Sequence, residues 1–89
     1  KVMSTVFIKG KEAEIMEAVA LENSEIVGTP LKQVKFPKEA LVLCLARADQ
    51  VLIPSGETVI QPLDRVIILS TRKHLPRVEQ SLVGKRRFM

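Results

Sequence analysis

Apolar residues recur at a spacing of two along most of this chain, and polar clusters carrying Gly, Pro, Asn or Asp cut the alternation into short runs. The pattern predicts strands over 2–8, 13–21, 41–47, 51–53, 59–60 and 65–70. Lys9-Gly10-Lys11-Glu12 reads as the turn between the first two. The second run also contains good helix formers, but Ile15, Val19 and Leu21 alternate with Met16, Ala18 and Ala20, which favours a strand. Ala48-Asp49, Ser55-Gly56 and Pro62-Leu63-Asp64 punctuate the later runs, so the stretch from 51 to 70 is expected to be an antiparallel meander. Within 41–47, strict alternation puts Leu41, Leu43 and Leu45 on one face and Val42, Cys44 and Ala46 on the other. Neither face suits water, so the second is expected to pack on another subunit.

Two segments break the period of two. After the polar Glu22-Asn23-Ser24-Glu25, Thr29-Pro30 reads as a helix start, with Thr29 as N-cap and Pro30 where a missing N–H costs nothing. Leu31 and Val34 would share a face, and Pro37 stops the helix by Phe36 after about two turns. A last helix opens at 71–73, tolerates Pro76 in its first turn, and carries a Leu75, Val78 and Leu82 stripe before a C-cap at Gly84. The expected class is α+β, a small antiparallel sheet with two short helices, homodimerising.

Composition narrows this picture. Eighty-nine residues make one domain near the lower size limit for independent folding. With Phe7, Phe36 and Phe88 as the only rings, the core must come from Val, Ile, Leu and Met. The start at Lys1, already inside a strand pattern, predicts a piece of a longer protein. The longest uncharged apolar stretch, 40–46, is far shorter than the roughly 20 residues of a membrane span, and no signal-peptide pattern occurs, so a soluble domain is expected. The single Cys44 excludes an internal disulfide and reads as a buried small hydrophobe in a reducing compartment. Of the net charge of +4, Lys85, Arg86 and Arg87 supply three; residues 85–89 read as a basic tail on a domain spanning 1–84. Without Trp, Tyr or a basic stripe interleaved with rings, no nucleic-acid partner is expected.

His74 stands beside Arg72, Lys73 and Arg77 without other metal donors at suitable spacing, and reads as an exposed or capping histidine. Glu12, Glu14 and Glu17 have no paired His and read as solvated strand edges, so no enzyme activity is expected and no metal site. Arg47 and Arg65 each abut an apolar strand. Each could pair with Asp49 or Asp64, or meet an anion alongside turn amides. Ile26, Val27, Leu31 and Pro37 would form an apolar rim around the short helix, whose N-terminus could hold a phosphate. These six residues form the candidate ligand site; alternatively the apolar ones are dimer core.

Three segments in order, Ile26-Val27-Gly28-Thr29-Pro30-Leu31, Arg47-Ala48-Asp49-Gln50-Val51-Leu52-Ile53-Pro54 and Val59-Ile60-Gln61-Pro62-Leu63-Asp64-Arg65-Val66, closely resemble the TrkA C-terminal (RCK-type C) domain family over nearly the whole chain. The opening residues before Lys9-Gly10 further resemble the last such domain of the regulatory subunit of bacterial Trk potassium uptake. One departure is Leu63, where the family usually has glycine before the Asp. The resemblance implies a ligand-sensing, dimerising module that gates a membrane-embedded potassium transporter, attached to a Rossmann-like nucleotide-binding domain and peripheral to the inner membrane through its partner. Some members bind cyclic di-AMP between two subunits, so that compound or another small anion is the implied ligand; no other cofactor is expected. The alternatives are a purely structural dimerisation clamp, or a regulatory domain of a cation/proton antiporter or anion transporter.

Overall fold

Among the described residues the alternating runs form five strands, β1 (Val2–Ile8), β2 (Lys11–Val19), β3 (Ala40–Arg47), β4 (Gln50–Leu52) and β5 (Arg65–Thr71), followed by one α-helix, α1 (Leu75–Leu82). The computed structural model describes residues 2–8 and 11–82, with side chains from Glu12 onward. The turn expected at Lys9-Gly10, the cap at Gly84 and the tail at 85–89 lie outside the described residues. The sheet is antiparallel throughout, in the order β1-β2-β5-β3-β4. No helix among the described residues is long and apolar enough to cross a membrane.

The meander expected from 51 to 70 is not what forms. β4 pairs with β3, and β5 enters the middle of the sheet between β2 and β3. Val66-Ile67-Ile68-Leu69 is apolar on both faces, and a central position lets it pair both sets of backbone groups. β4 has three residues and is followed by Pro54, features suited to an edge. Val59 and Ile60, expected as a strand, instead make single bridges, Val59 to Pro30 and Ile60 to Val27.

β3 also departs from the strict alternation expected over 41–47. Its register with β5 shifts between Val42 and Cys44, a bulge that adds one residue and reverses the alternation. Val42 and Leu45 therefore share the buried face, while Leu41 and Cys44 share the opposite one. The buried face unites Met16, Val42, Leu45, Val66 and Ile68 with Ile26 and Ile60 from the loops and Val78 and Leu82 from α1. On the other face, cross-strand partners stack in rows: Ile15, Leu69 and Leu41; Glu17, Ile67 and Cys44; Val19, Arg65 and Ala46. Leu41 is 59% exposed and Val51, opposite Ala46, is 71% exposed. Among the described residues no helix covers this face.

The expected two-turn helix after Thr29 is one 3₁₀ turn, Leu31–Gln33, capped by Pro30 in an extended conformation and not by the Thr29 side chain. The Leu31 and Lys32 N–H groups, unpartnered within any helix starting here, go to the carbonyls of Thr58 (2.9 Å) and Gly56 (3.0 Å), while Gln33 and Val34 bond back only three residues, to Pro30 and Leu31, and the extended Val34 ends the segment. Gly28, at φ 95°, turns the chain into this segment while its N–H reaches the Ile60 carbonyl. At the other end a 3₁₀ turn, Arg72–His74, leads into α1, which buries Val78, Ser81 and Leu82.

Leu63 adopts φ 73°, the left-handed conformation that glycine takes without penalty. A non-Gly residue there costs roughly 1–2 kcal/mol, partly offset in a glycine variant by its freer unfolded chain. Because Leu63 is 78% exposed, its side chain contributes little packing. Leu63→Gly is therefore expected to raise Tm by about 2–4 °C in calorimetry, a net gain near 0.5 kcal/mol. Leu63→Ala, which keeps the Cβ, should show no such gain.

Candidate functional site

Asp64 closes the turn before β5 with its carboxylate buried to 2% exposure. Arg47, at the end of β3, meets it in a two-pronged contact, Nε to Oδ1 at 2.9 Å and Nη2 to Oδ2 at 2.7 Å. The Gln61 N–H donates to Oδ2 at 2.9 Å, and the same Arg47 Nη2 reaches the Val59 carbonyl at 3.0 Å. Backbone bonds tie the turn to the end of β2: Ala20 N–H donates to the Asp64 carbonyl and Leu63 N–H to that of Ala20, both at 2.8 Å. Arg47 hydrogen bonding, aided by the Gln61 amide, holds the Asp64 carboxyl below its usual range against the opposing effect of burial.

Four of the six candidate ligand-site residues converge on this turn. Ile26 is fully buried in the core, Val27 bridges Ile60, and Leu31 packs against the core one residue after the Pro30–Val59 bridge. Arg47 joins them through Val59 and Asp64. Its guanidinium serves the fold in this way, the Asp64 pairing being one of the alternatives expected. Arg65 points to the uncovered sheet face, exposed and without an ion pair among the described residues. Pro37 lies apart, in a cleft of about 370 Å³ with Lys35, Phe36, His74 and Arg77.

The end of the domain around Pro37 is the more chemically varied, and sequence reading saw only half of it. His74 Nδ1 lies 2.8 Å from Thr71 Oγ1 and its Nε2 3.5 Å from Glu39 Oε1. Arg72 pairs with Glu12 and approaches Glu14 at 3.8 Å, binding the 3₁₀ turn to β2. A cleft of about 500 Å³ opens between these groups, lined by Glu12, Glu39, Thr71, Arg72, Lys73 and His74. The Thr71-x-x-His74 spacing could have signalled the local contact. Nothing in sequence brings Glu39 or Lys35 to His74.

The sheet order, the bridge-stapled loop and the single terminal helix define an RCK-type α+β domain. In a solved chain described as the structure of an RCK domain with cda, the same fold recurs with a TM-score of 0.64 at 20% identity, over 78% of this chain and 97% of that one. The chain belongs to the TrkA-C domain family, whose pattern matches residues 15–83. Over 73 residues it is 44% identical to Trk system potassium uptake protein TrkA homolog 1 of Methanosarcina mazei, covering 82% of this chain and 16% of that protein. It is 39% identical over 67 residues to TrkA of Azorhizobium caulinodans, 75% of this chain and 15% of that one. The TrkA homolog of Pyrococcus abyssi is 32% identical over 82 residues, 91% of this chain and 36% of the relative. The chain thus spans only a part of each curated relative's length.

The Asp64 bridge gives stability a defined pH dependence. Since the folded carboxyl titrates below its unfolded value, its contribution is complete above about pH 4 and is lost as pH falls through the lower folded value. Asp64→Asn is expected to lower stability at pH 7 by roughly 2 kcal/mol, modest for a buried partner because Arg47 stays partly open to water. Urea unfolding measured from pH 7 to pH 2 should show the gap between variant and parent closing in the acid range.

Proposed function

We propose that this chain is a non-enzymatic, homodimerising regulatory module of a Trk-type potassium-uptake system, which senses a small anionic ligand where two copies meet and so gates a membrane-embedded potassium transporter. The observation that carries this reading is the uncovered sheet face, whose rows of Ile15, Leu69, Leu41, Ile67, Cys44 and Val51 leave apolar surface that a second copy would bury. Family membership and the names of the potassium-uptake relatives support the transport role, and the RCK domain solved with cda supports a small ligand. The parent protein, on this reading, is cytoplasmic and carries a Rossmann-like nucleotide-binding domain beside this one.

The mechanism is differential affinity. A ligand held more tightly in one arrangement of two copies shifts the population toward it, and only that difference can act on an attached transporter. Arg65, charged and exposed at the margin of the apolar rows, supplies the anion contact, with cyclic di-AMP the first ligand to test. Ile26, Val27, Leu31 and Arg47 shape the neighbouring turn, Arg47 by positioning it through Asp64.

Sedimentation equilibrium at micromolar concentration should give a dimer mass. Leu41→Glu and Val51→Lys should each give a folded monomer by circular dichroism; a parent chain that sediments as a monomer would overturn the dimer. In a thermal-shift titration with cyclic di-AMP, the parent is expected to rise saturably. Arg65→Ala should lose that rise while melting alone at an unchanged temperature.

A further inference from the structure

Away from that dimer face, we propose a second binding site, for a small monophosphate ester bearing a flat apolar group, where residues 35–37 meet the start of α1. Two clefts adjoin there, of about 370 and 280 Å³, and both are lined by Lys35 and Arg77. Lys32, Arg47 and Arg72 each sit within ion-pair distance of a carboxylate. Lys35 and Arg77 make no ion pair among the described residues, so two cations from separate elements border the same open space, with Glu25 on the rim of the second cleft. Both are exposed, so water screens their repulsion, and an anion entering the clefts would be attracted by both.

The remaining walls restrict which anion fits. Phe36 and Pro37, both half-buried, give the larger cleft a flat apolar side, and its volume lies in the range of small-molecule sites. His74 lines the same cleft, its ring held between Thr71 and Glu39, and can turn a ring N–H or lone pair to a ligand only by leaving one of them. Glu25 lines the second cleft with Gln80 and Ser81. With Glu25 lining the second cleft and Glu39 beyond His74, a polyphosphate chain extending either way would meet like charge. A single phosphate can take the guanidinium fork of Arg77 and the ammonium of Lys35 together, its ester group resting on Phe36 and Pro37.

Phenyl phosphate and inorganic phosphate, titrated into the isotope-labelled 89-residue chain and followed by backbone amide shifts, test this directly. Saturable shifts are expected at Lys35, Phe36, His74 and Arg77, with phenyl phosphate binding about tenfold tighter than inorganic phosphate. Lys35→Gln combined with Arg77→Gln should abolish saturation without changing the melting temperature, both residues being exposed, and Arg77→Lys should retain part of the affinity. Shifts that never saturate, saturation surviving in the double variant, equal affinity for the two phosphates, or shifts centred on Val27 and Arg65 would each overturn the proposal. None of these outcomes bears on dimerisation, which sedimentation decides separately.

Discussion

The contact between Arg47 and Asp64 is the constraint on which the rest of this small domain depends. Ion pairs of this kind add little stability by themselves, because desolvation offsets much of the attraction. What this one does is satisfy several groups at once: the carboxylate takes both prongs of the guanidinium and the Gln61 amide, while the leftover Nη2 capacity reaches Val59. The ends of β2 and β3 and the 59–64 turn are thereby fixed to one another, with Ala20 completing the junction. From that anchored turn β5 starts at Arg65 in the register that sends Val66, Ile68 and Ser70 inward. A slip of one residue would exchange that set for Arg65, Ile67 and Leu69, a cost no side-chain adjustment could repair.

Anchoring β5 at the centre has a consequence for the molecule's surface. A sheet with apolar residues on both faces needs two covers, and the described residues provide one, made of α1 and the loop carrying Ile26, Val34 and Phe36. The bulge at Val42/Cys44 sharpens the division. It recruits Leu45 to the covered side with Val42 and leaves Leu41 on the open side beside Leu69 and Ile15. The uncovered rows thus follow from how the core was completed, and Arg65 lies at their margin, between Val19 and Ala46.

The two ends of the domain divide the polar work. Around Asp64 every strong group is spent on neighbours within the fold, and the geometry is over-determined. Around His74 the contacts are sparser: Arg72 ties the final turn to Glu12 and Glu14, His74 rests between Thr71 and Glu39, and Lys35 and Arg77 face open clefts. Groups left uncommitted in this way are the ones available for recognition.

Much of this was legible in the sequence because local physics fixes it. Alternation of Ile15 and Val19 with Met16, Ala18 and Ala20 outweighed helix propensity in β2, and the Leu75, Val78 and Leu82 stripe announced α1. The positive φ at Leu63 was signalled by the family's usual glycine at that position, not by the local pattern. What sequence could not supply were decisions made between distant segments. Thr29-Pro30 carries a sound helix-start signal, yet bonds to the carbonyls of Thr58 and Gly56 hold the segment against the 56–59 loop, and the extended Val34 ends it after one 3₁₀ turn. Sequential turns suggested a meander, but pairing energy is collected by whichever strands can satisfy both edges of β5, and those are β2 and β3. For the candidate site, Arg47 and Arg65 looked alike in sequence, each charged and beside an apolar run. Tertiary structure separated them, giving Arg47 a buried carboxylate and leaving Arg65 on the open face, because strand order and register set which partner lies within reach of a side chain.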